Sequence, residues 1–376
     1  MTDKTVFLYG TLRDPALREI VAGTQLAAEP AMAQGHSARR IKGKSFPKLV
    51  ESTFKSCEGV TIEASAAVLE RLAYYEHGYA LTPIDVMKDG TQFRALTFES
   101  ITEDWETGEE WSFEFWLNTN AVFARETATE AMRLMRNQTA TKTSQFWGQI
   151  EMRAATRVRA ALEPSPAPLE PTMANANTIA HDTRQPYSEF FAIREDDLSF
   201  PRFNGTQSPI VTRACFIGGD AVTVLPWDPQ TNNVLLVRQW RHGPFCRGDG
   251  NPWTLEPVAG RIDPGETPGE TARRELLEET GVSDIGQLHK VAHYYPSPGA
   301  YSEFLYNFIA EADLSGVDQR VSGLAGEDED IMSHVLNLET ALEYIASGAV
   351  NTGPLIVSLQ WLALNREKLA NGERSI

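Results

Sequence analysis

Residues 260–282 read GRIDPGETPGETARRELLEETGV, and no other stretch constrains the fold of this 376-residue chain so tightly. Asp263-Pro264-Gly265 predict a turn. Thr267-Pro268 predict a helix start with proline in the first turn, and Gly281 a left-handed helix end. A loop followed by a three-turn helix over Pro268–Thr280 is the expectation, with Leu276 and Leu277 packing beneath it. At about 100° per residue, Glu275, Glu278 and Glu279 share one helical face, because spacings of three and four bring side chains together. Carboxylates crowded in this way repel one another unless something neutralises them. A hard divalent cation such as Mg²⁺ accepts several carboxylate oxygens and keeps positions open for phosphate oxygens and water.

The length exceeds what one hydrophobic core usually organises, so two domains are expected. Between Arg159 and Gln185 apolar periodicity is lost and Pro164, Pro166, Pro168 and Pro171 follow one another closely, the pattern of a linker or an embracing arm. The division is therefore placed as a first domain over 1–160, a proline-rich linker over 161–187 and a second domain over 188–376. The formal charge of −17 argues against nucleic acid or anionic lipid as a partner, and divides at residue 180 as −4 before and −13 after. Cys57, Cys215 and Cys246 have no CxxC spacing, which suggests neither a disulfide framework nor a thiolate zinc site. The start lacks the pattern of a signal peptide and no apolar run approaches membrane-spanning length, so a cytoplasmic protein is expected.

In the first half, a strand over Val6–Tyr9, a helix over Asp14–Val21, strands near Gly59–Ile62 and Leu81–Met87, and helices at Ala64–Tyr75 and Ala121–Asn137 predict a mixed α+β domain. In the second, strands at Ala221–Leu225, Asn233–Arg238 and Tyr306–Ala310 lie among helices at Pro268–Thr280, Leu338–Ala346 and Pro354–Asn371.

The 260–282 stretch resembles the Nudix box at every defined position of that hydrolase family, which implies an α/β/α sandwich for the second domain. The resemblance implies Glu275 and Glu279 as the principal metal ligands, Glu278 as a helper and the Ala259 carbonyl as a further ligand, with Mg²⁺ the expected ion and Mn²⁺ its alternative. Arg274 and Glu266 are expected to hold loop and helix together. The flanks FNGTQSPIVTRACFIGGDAVTVLPWDPQTNNVLLVRQWRHGPF, WTLEPVAG, HYYPSPGAYSE and GLAGEDEDI, with Pro298, resemble the ADP-ribose pyrophosphatase branch. By that resemblance Arg213 and Arg241 contact substrate, and Glu256 either hydrogen-bonds the adenine or holds its strand. Glu329 adds a metal ligand, and Glu327 activates water with Glu303 as the rival base. The implied reaction is attack of a metal-activated water on ADP-ribose, giving AMP and ribose 5-phosphate; a sensor that binds ADP-ribose without cleaving it, or a pyrophosphatase of another nucleotide sugar, is the alternative. Members of the branch are usually homodimers that exchange N-terminal strands, so that Arg213 would serve the neighbouring site.

VFLYGTLRD, CEGVTIEAS and LERLAYYEHGYALTPIDV resemble the γ-glutamylcyclotransferase-like, or AIG2-like, family over roughly residues 4–140, which implies a mixed β-barrel or sheet. There the Tyr9-Gly10-Thr11-Leu12 turn offers backbone N–H groups to a carboxylate, and Glu76 moves the proton during cyclisation of a γ-glutamyl compound. A binding and dimer-supporting module is the other reading of this half. The fusion as a whole resembles Nudix proteins described as tellurite-resistance proteins.

Overall fold

A computed structural model describes residues 3–102, 104–164, 177–323 and 329–371. Its contacts divide the chain into Met1–Arg213 and Ala214–Ile376.

In the first unit the chain forms β1 (Lys4–Leu8), α1 (Pro15–Ala22), β2 (Glu29–Ile41), β3 (Pro47–Ala64), α2 (Ala66–Tyr75), β4 (Tyr79–Lys88), β5 (Thr91–Ser100) and β6 (Thr107–Glu110). Four helices follow, α3 (Phe113–Thr119), α4 (Ala121–Leu134), α5 (Ala140–Gln145) and α6 (Trp147–Leu162). The sheet order is β3-β1-β5-β4-β2-β6, and β3 also pairs with β2, so five strands close on themselves and β6 hangs on β2. The β1–β5 pairing is parallel. Val6 and Leu8 point into one core with Leu17, Leu72 and Trp116, while Phe7 and Tyr9 point into the other with Ala33, Ile84 and Val86, as the period of two requires.

The chain continues as β7 (Ile179–Ser188), β8 (Ala192–Ser199) and β9 (Val211–Ile217), a three-stranded sheet in that order. The linker expected over 161–187 is thus shorter at its C-terminal end: Ile179 begins a strand. Its polar sequence hides it from a search for apolar alternation. What holds it is pairing with β8 and charge, since Arg184 bridges Asp182 and Asp197 at 2.8 and 2.7 Å. Its C-terminal end is fixed more firmly. Fully buried Arg153 of α6 pairs with Glu130 of α4 at 2.8 Å, and the same two side chains bond Gln185 and Ser188 of β7.

The second unit contains β10 (Ala221–Asp228), β11 (Asn233–Trp240), α7 (His242–Arg247), β12 (Trp253–Glu256), β13 (Val258–Arg261), α8 (Pro268–Thr280), β14 (Ile285–Tyr294), β15 (Leu305–Ala312), β16 (Val321–Ser322), β17 (Ile331–Asn337), α9 (Leu338–Ser347) and α10 (Gly353–Ala370). The main sheet runs β14-β15-β10-β11-β17-β16, with β12 beside β11 and β13 beside β10. Every residue of β10 is buried, the mark of a strand covered on both faces. Val222, Val224, Leu235 and Val237 pack with Ala272 and Leu276 of α8; Leu225, Trp227, Val234 and Leu236 pack with Leu338, Leu355 and Leu359 of α9 and α10. This is the α/β/α sandwich. No described helix is long and apolar enough to cross a membrane.

Candidate functional site

The helix α8 begins and ends where its sequence dictates. Thr267 accepts from the Glu270 N–H while the Glu270 carboxylate accepts from the Thr267 N–H, a complete capping box; Pro268 occupies the first turn and Gly281 ends the helix at φ 72°. Such a cap stabilises a helix by about 1 kcal/mol. Leu276 is fully buried beneath α8, but Leu277 is 52% exposed, so only the first of the two leucines expected beneath the helix packs there. Successive residues differ by about 100° in direction, which takes Leu277 off the face that Leu276 and Ala272 present to the sheet.

The carboxylate face is graded by depth. Glu279 is 3% exposed, the Glu275 side chain 12% and the Glu278 side chain 28%. Burial pushes Glu275 up to about 7, with Glu278 and Glu329 adding repulsion. Glu279 is driven well above the usual carboxylate range by burial and by the charges of Glu275 and Glu329, although it accepts from the Ala259 N–H at 3.4 Å. That strand residue therefore already faces Glu279 with its amide. Beside it, Gly260 makes room for the acid: a Cβ there would fall 1.8 Å from Glu275 Oε1.

Arg274 steadies this face from the side. It forms a two-pronged pair with Glu266 at 2.9 Å on each prong, donates to Glu275 at 2.7 Å and Glu278 at 3.0 Å, and reaches the Arg261 carbonyl at 3.2 Å. The pair holds Glu266 down to about 2, so this carboxylate is committed to the loop. Among the described residues no trio of His, Cys, Asp or Glu is drawn into one metal-sized cluster. The donors along α8 are nonetheless all carboxylate oxygens, buried or half-buried and crowded on one face, and such a set fits a hard divalent cation.

Around this face Glu329 lies within electrostatic reach of Glu275, Glu279 and Arg241. Glu303 is half-buried, and burial raises its carboxyl against the pull of Arg261 and Arg241. Glu327 lies outside the described residues. Arg241, expected to meet substrate, and Glu256, expected either to meet the adenine or to hold its strand, form a bidentate pair at 2.9 and 2.7 Å across the paired strands β11 and β12. Thr254 also donates to Glu256, so this carboxylate is occupied by its own strands. Arg213 belongs to the first unit, is exposed, and donates to the Thr212 carbonyl at 3.0 Å.

In the first unit the Tyr9-Gly10-Thr11-Leu12 turn opens a 3₁₀ turn at Thr11–Arg13 and lines a cavity of about 290 Å³ with Glu76 and Tyr79. Leu12 sends its side chain into the core, and Tyr9 donates to the Phe98 carbonyl and accepts from the Leu49 N–H, so both side chains serve the barrel. Glu76 caps the end of α2 and faces the cavity among Tyr9, Tyr75 and Tyr79; burial pushes it up to about 7. Gly78 is required there because a Cβ would sit 2.5 Å from the Trp105 ring. The sequence reading missed Trp147 and Glu151 of α6, which line the same cavity; their i, i+4 spacing was the available signal.

In the second unit, fold and carboxylate face define a protein that offers a hard-cation site beside an α/β/α sheet. The family model for the NUDIX domain matches residues 219–349, and the chain belongs to the Nudix family. The model for "Gamma-glutamyl cyclotransferase, AIG2-like" matches residues 6–114, to which the first unit is similar. An ADP-ribose pyrophosphatase of Haemophilus influenzae is 36% identical over 49% of this chain and 84% of its own length. One of Escherichia coli K12 is 33% identical over 56% of this chain and 98% of its own. A GDP-mannose pyrophosphatase of an Enterobacter species is 31% identical over 47% and 90% respectively.

Proposed function

We propose that the second unit hydrolyses the diphosphate bond of ADP-ribose to AMP and ribose 5-phosphate, using Mg²⁺ in preference to Mn²⁺. The observation that carries this reading is the Glu275–Glu279 face on α8, with Glu279 buried and Glu275 half-buried. The substrate follows from the similarity to ADP-ribose pyrophosphatases over most of their length. Glu275 and Glu279 would hold the cation, assisted by Glu278, Glu329 and the Ala259 carbonyl, while Arg274 keeps Glu275 and Glu278 oriented. When bound, the cation neutralises diphosphate oxygens and acidifies a water molecule. The water oxygen bonds to one phosphorus, the P–O bond of the anhydride breaks, and the water's proton passes to a carboxylate, Glu303 or Glu327. Purified protein with Mg²⁺ is expected to convert ADP-ribose to AMP and ribose 5-phosphate, and a chelator to stop it. Intact ADP-ribose under conditions where a control hydrolase consumes it would overturn the reading. GDP-mannose is the second substrate to assay, because a relative of that name matches the same region.

For the first unit we propose action on γ-glutamyl compounds. The α-amine attacks the γ-carbonyl, the lactam of 5-oxoproline forms as the amide bond breaks, and Glu76 carries the proton to the departing amine. Burial raises Glu76 to about 7, so its ionised, proton-accepting form is lost as pH falls through that value. With γ-glutamyl-alanine and the full chain, 5-oxoproline formation is expected to rise with pH through about 7 and to vanish in Glu76→Gln. No 5-oxoproline from the unaltered chain would leave this unit as a binding module.

A further inference from the structure

The cavity of the first unit is closed by segments beyond the matched residues 6–114. Phe123, Ala124 and Thr127 of α4, Ser144 of α5, and Trp147 and Glu151 of α6 all line it. Trp147 and Glu151 stand one helical turn apart on the same face, and the indole Nε1–H donates to Glu151 Oε1 at 3.1 Å. This bond fixes the carboxylate relative to the ring. The Trp147 ring packs in turn against Tyr75, at 5.9 Å between centroids, and His77, at 5.3 Å. The Tyr75 hydroxyl feels the charges of both Glu76 and Glu151, and both acids line the cavity with it.

The cavity therefore holds two carboxylates and a wall of aromatic rings, and its Lys44 is an exposed residue. A carboxylate withdrawn from water is costly unless it is paired. Burial raises Glu151, and the attraction of Lys44 reverses this only in part. The bond from the indole satisfies one oxygen of Glu151 and leaves further acceptor capacity. Faces of tryptophan and tyrosine attract cations, most strongly where water is excluded.

We propose that Glu151, with the rings of Trp147 and Tyr75, forms a subsite that receives the primary ammonium group of a small ligand. Two of its three side chains, Trp147 and Glu151, come from α6, after the matched segment, so it sets specificity independently of the Tyr9-Gly10-Thr11-Leu12 turn. It adds to the γ-glutamyl reading, whose substrates carry an α-ammonium, and is testable apart from it.

The test is calorimetric titration of the full chain with three probes: L-glutamate, glutarate, which is glutamate without its ammonium group, and putrescine, an amine without carboxylates. The unaltered chain is expected to bind glutamate at least about tenfold more tightly than glutarate. Glu151→Gln, which keeps the acceptor for the indole N–H, is expected to abolish that preference by weakening glutamate alone. Trp147→Leu is expected to weaken the amines in the same direction, with circular dichroism and the melting temperature reporting whether either variant is folded. Putrescine binding that depends on Glu151 supports the subsite even where neither dicarboxylate binds. Equal affinity for glutamate and glutarate, a Glu151→Gln variant indistinguishable from the parent, or no binding of any probe overturns it. The 5-oxoproline assay scores the γ-glutamyl reading separately. Lactam formation without an ammonium preference sinks only the subsite, and a Glu151-dependent preference without lactam formation sinks only the cyclotransferase.

Discussion

Glu279→Gln is expected to lower ADP-ribose turnover by at least about a hundredfold, since removing even the outer partners of metal ligands commonly costs tenfold to a hundredfold. Glutamine keeps the volume and an oxygen able to accept from the Ala259 N–H, which now reaches Glu279 Oε2 at 3.4 Å, so the fold is expected to survive. The metal-free variant is also expected to melt at or above the parent temperature. Glu279 is buried and its carboxyl is raised well above the ordinary range, so holding it ionised costs the folded chain stability that the unfolded chain does not lose. A group shifted in that direction costs stability as pH rises above its unfolded value, and a neutral side chain removes the cost. Added Mg²⁺ should raise the melting temperature of the parent and leave that of the variant nearly unchanged. Unaltered turnover, or an unaltered response to Mg²⁺, would remove Glu279 from the metal set. A site that trades stability for function in this way is common where charges must be held ready for a ligand.

The α8 helix was legible to the residue, because local chemistry decides it: Thr267-Pro268 can only start a helix well and Gly281 can only end one. The three carboxylates on its face were legible for the same reason. Strands β2 and β3 were much less so. β2 buries small residues such as Ala31 and Ala33 where apolar alternation is usually carried by large ones, and only the Gly59–Ile62 portion of the long β3 was anticipated. The strand hidden in the expected linker, β7, is held by the bonds of its buried Gln185 and Ser188 to Glu130 and Arg153 and by the Arg184–Asp197 ion pair, partners that lie on other elements.

Pairings between distant residues were the least legible part of the sites. Arg241 read as a ligand contact and Glu256 as either a ligand contact or a strand support when considered singly, and the pairing that makes them partners of one another exists only once β11 and β12 are in register. Glu151 was missed for a related reason. On a helix whose polar face is mostly solvated, an acid four residues after a tryptophan looks like surface until the barrel is folded against it. In both cases local pattern supplied the element and tertiary packing supplied the meaning of its side chains.

Gly260→Ala is expected to reduce kcat by about a hundredfold, comparable to what a displacement of roughly 1 Å costs at a reacting centre. The added methyl carbon would lie 1.8 Å from Glu275 Oε1 and 2.0 Å from its carboxyl carbon, distances no pair of unbonded atoms tolerates. The flexible end of Glu275 yields more easily than the strand does, so the acid swings away, loses its 2.7 Å bond from Arg274, and leaves the metal face. Stability should change little, because the displaced group is a half-buried carboxylate already in conflict with its neighbours. The decisive comparison is with Glu275→Asp, whose shorter side chain no longer fills the space over Gly260. If the methyl acts only by expelling the Glu275 carboxylate, the double variant should be little worse than Glu275→Asp alone, a strong departure from additivity between residues in contact. Additive losses would mean that Gly260 serves the site by another route, and full activity in Gly260→Ala would show that Glu275 does not need the position it occupies against the strand.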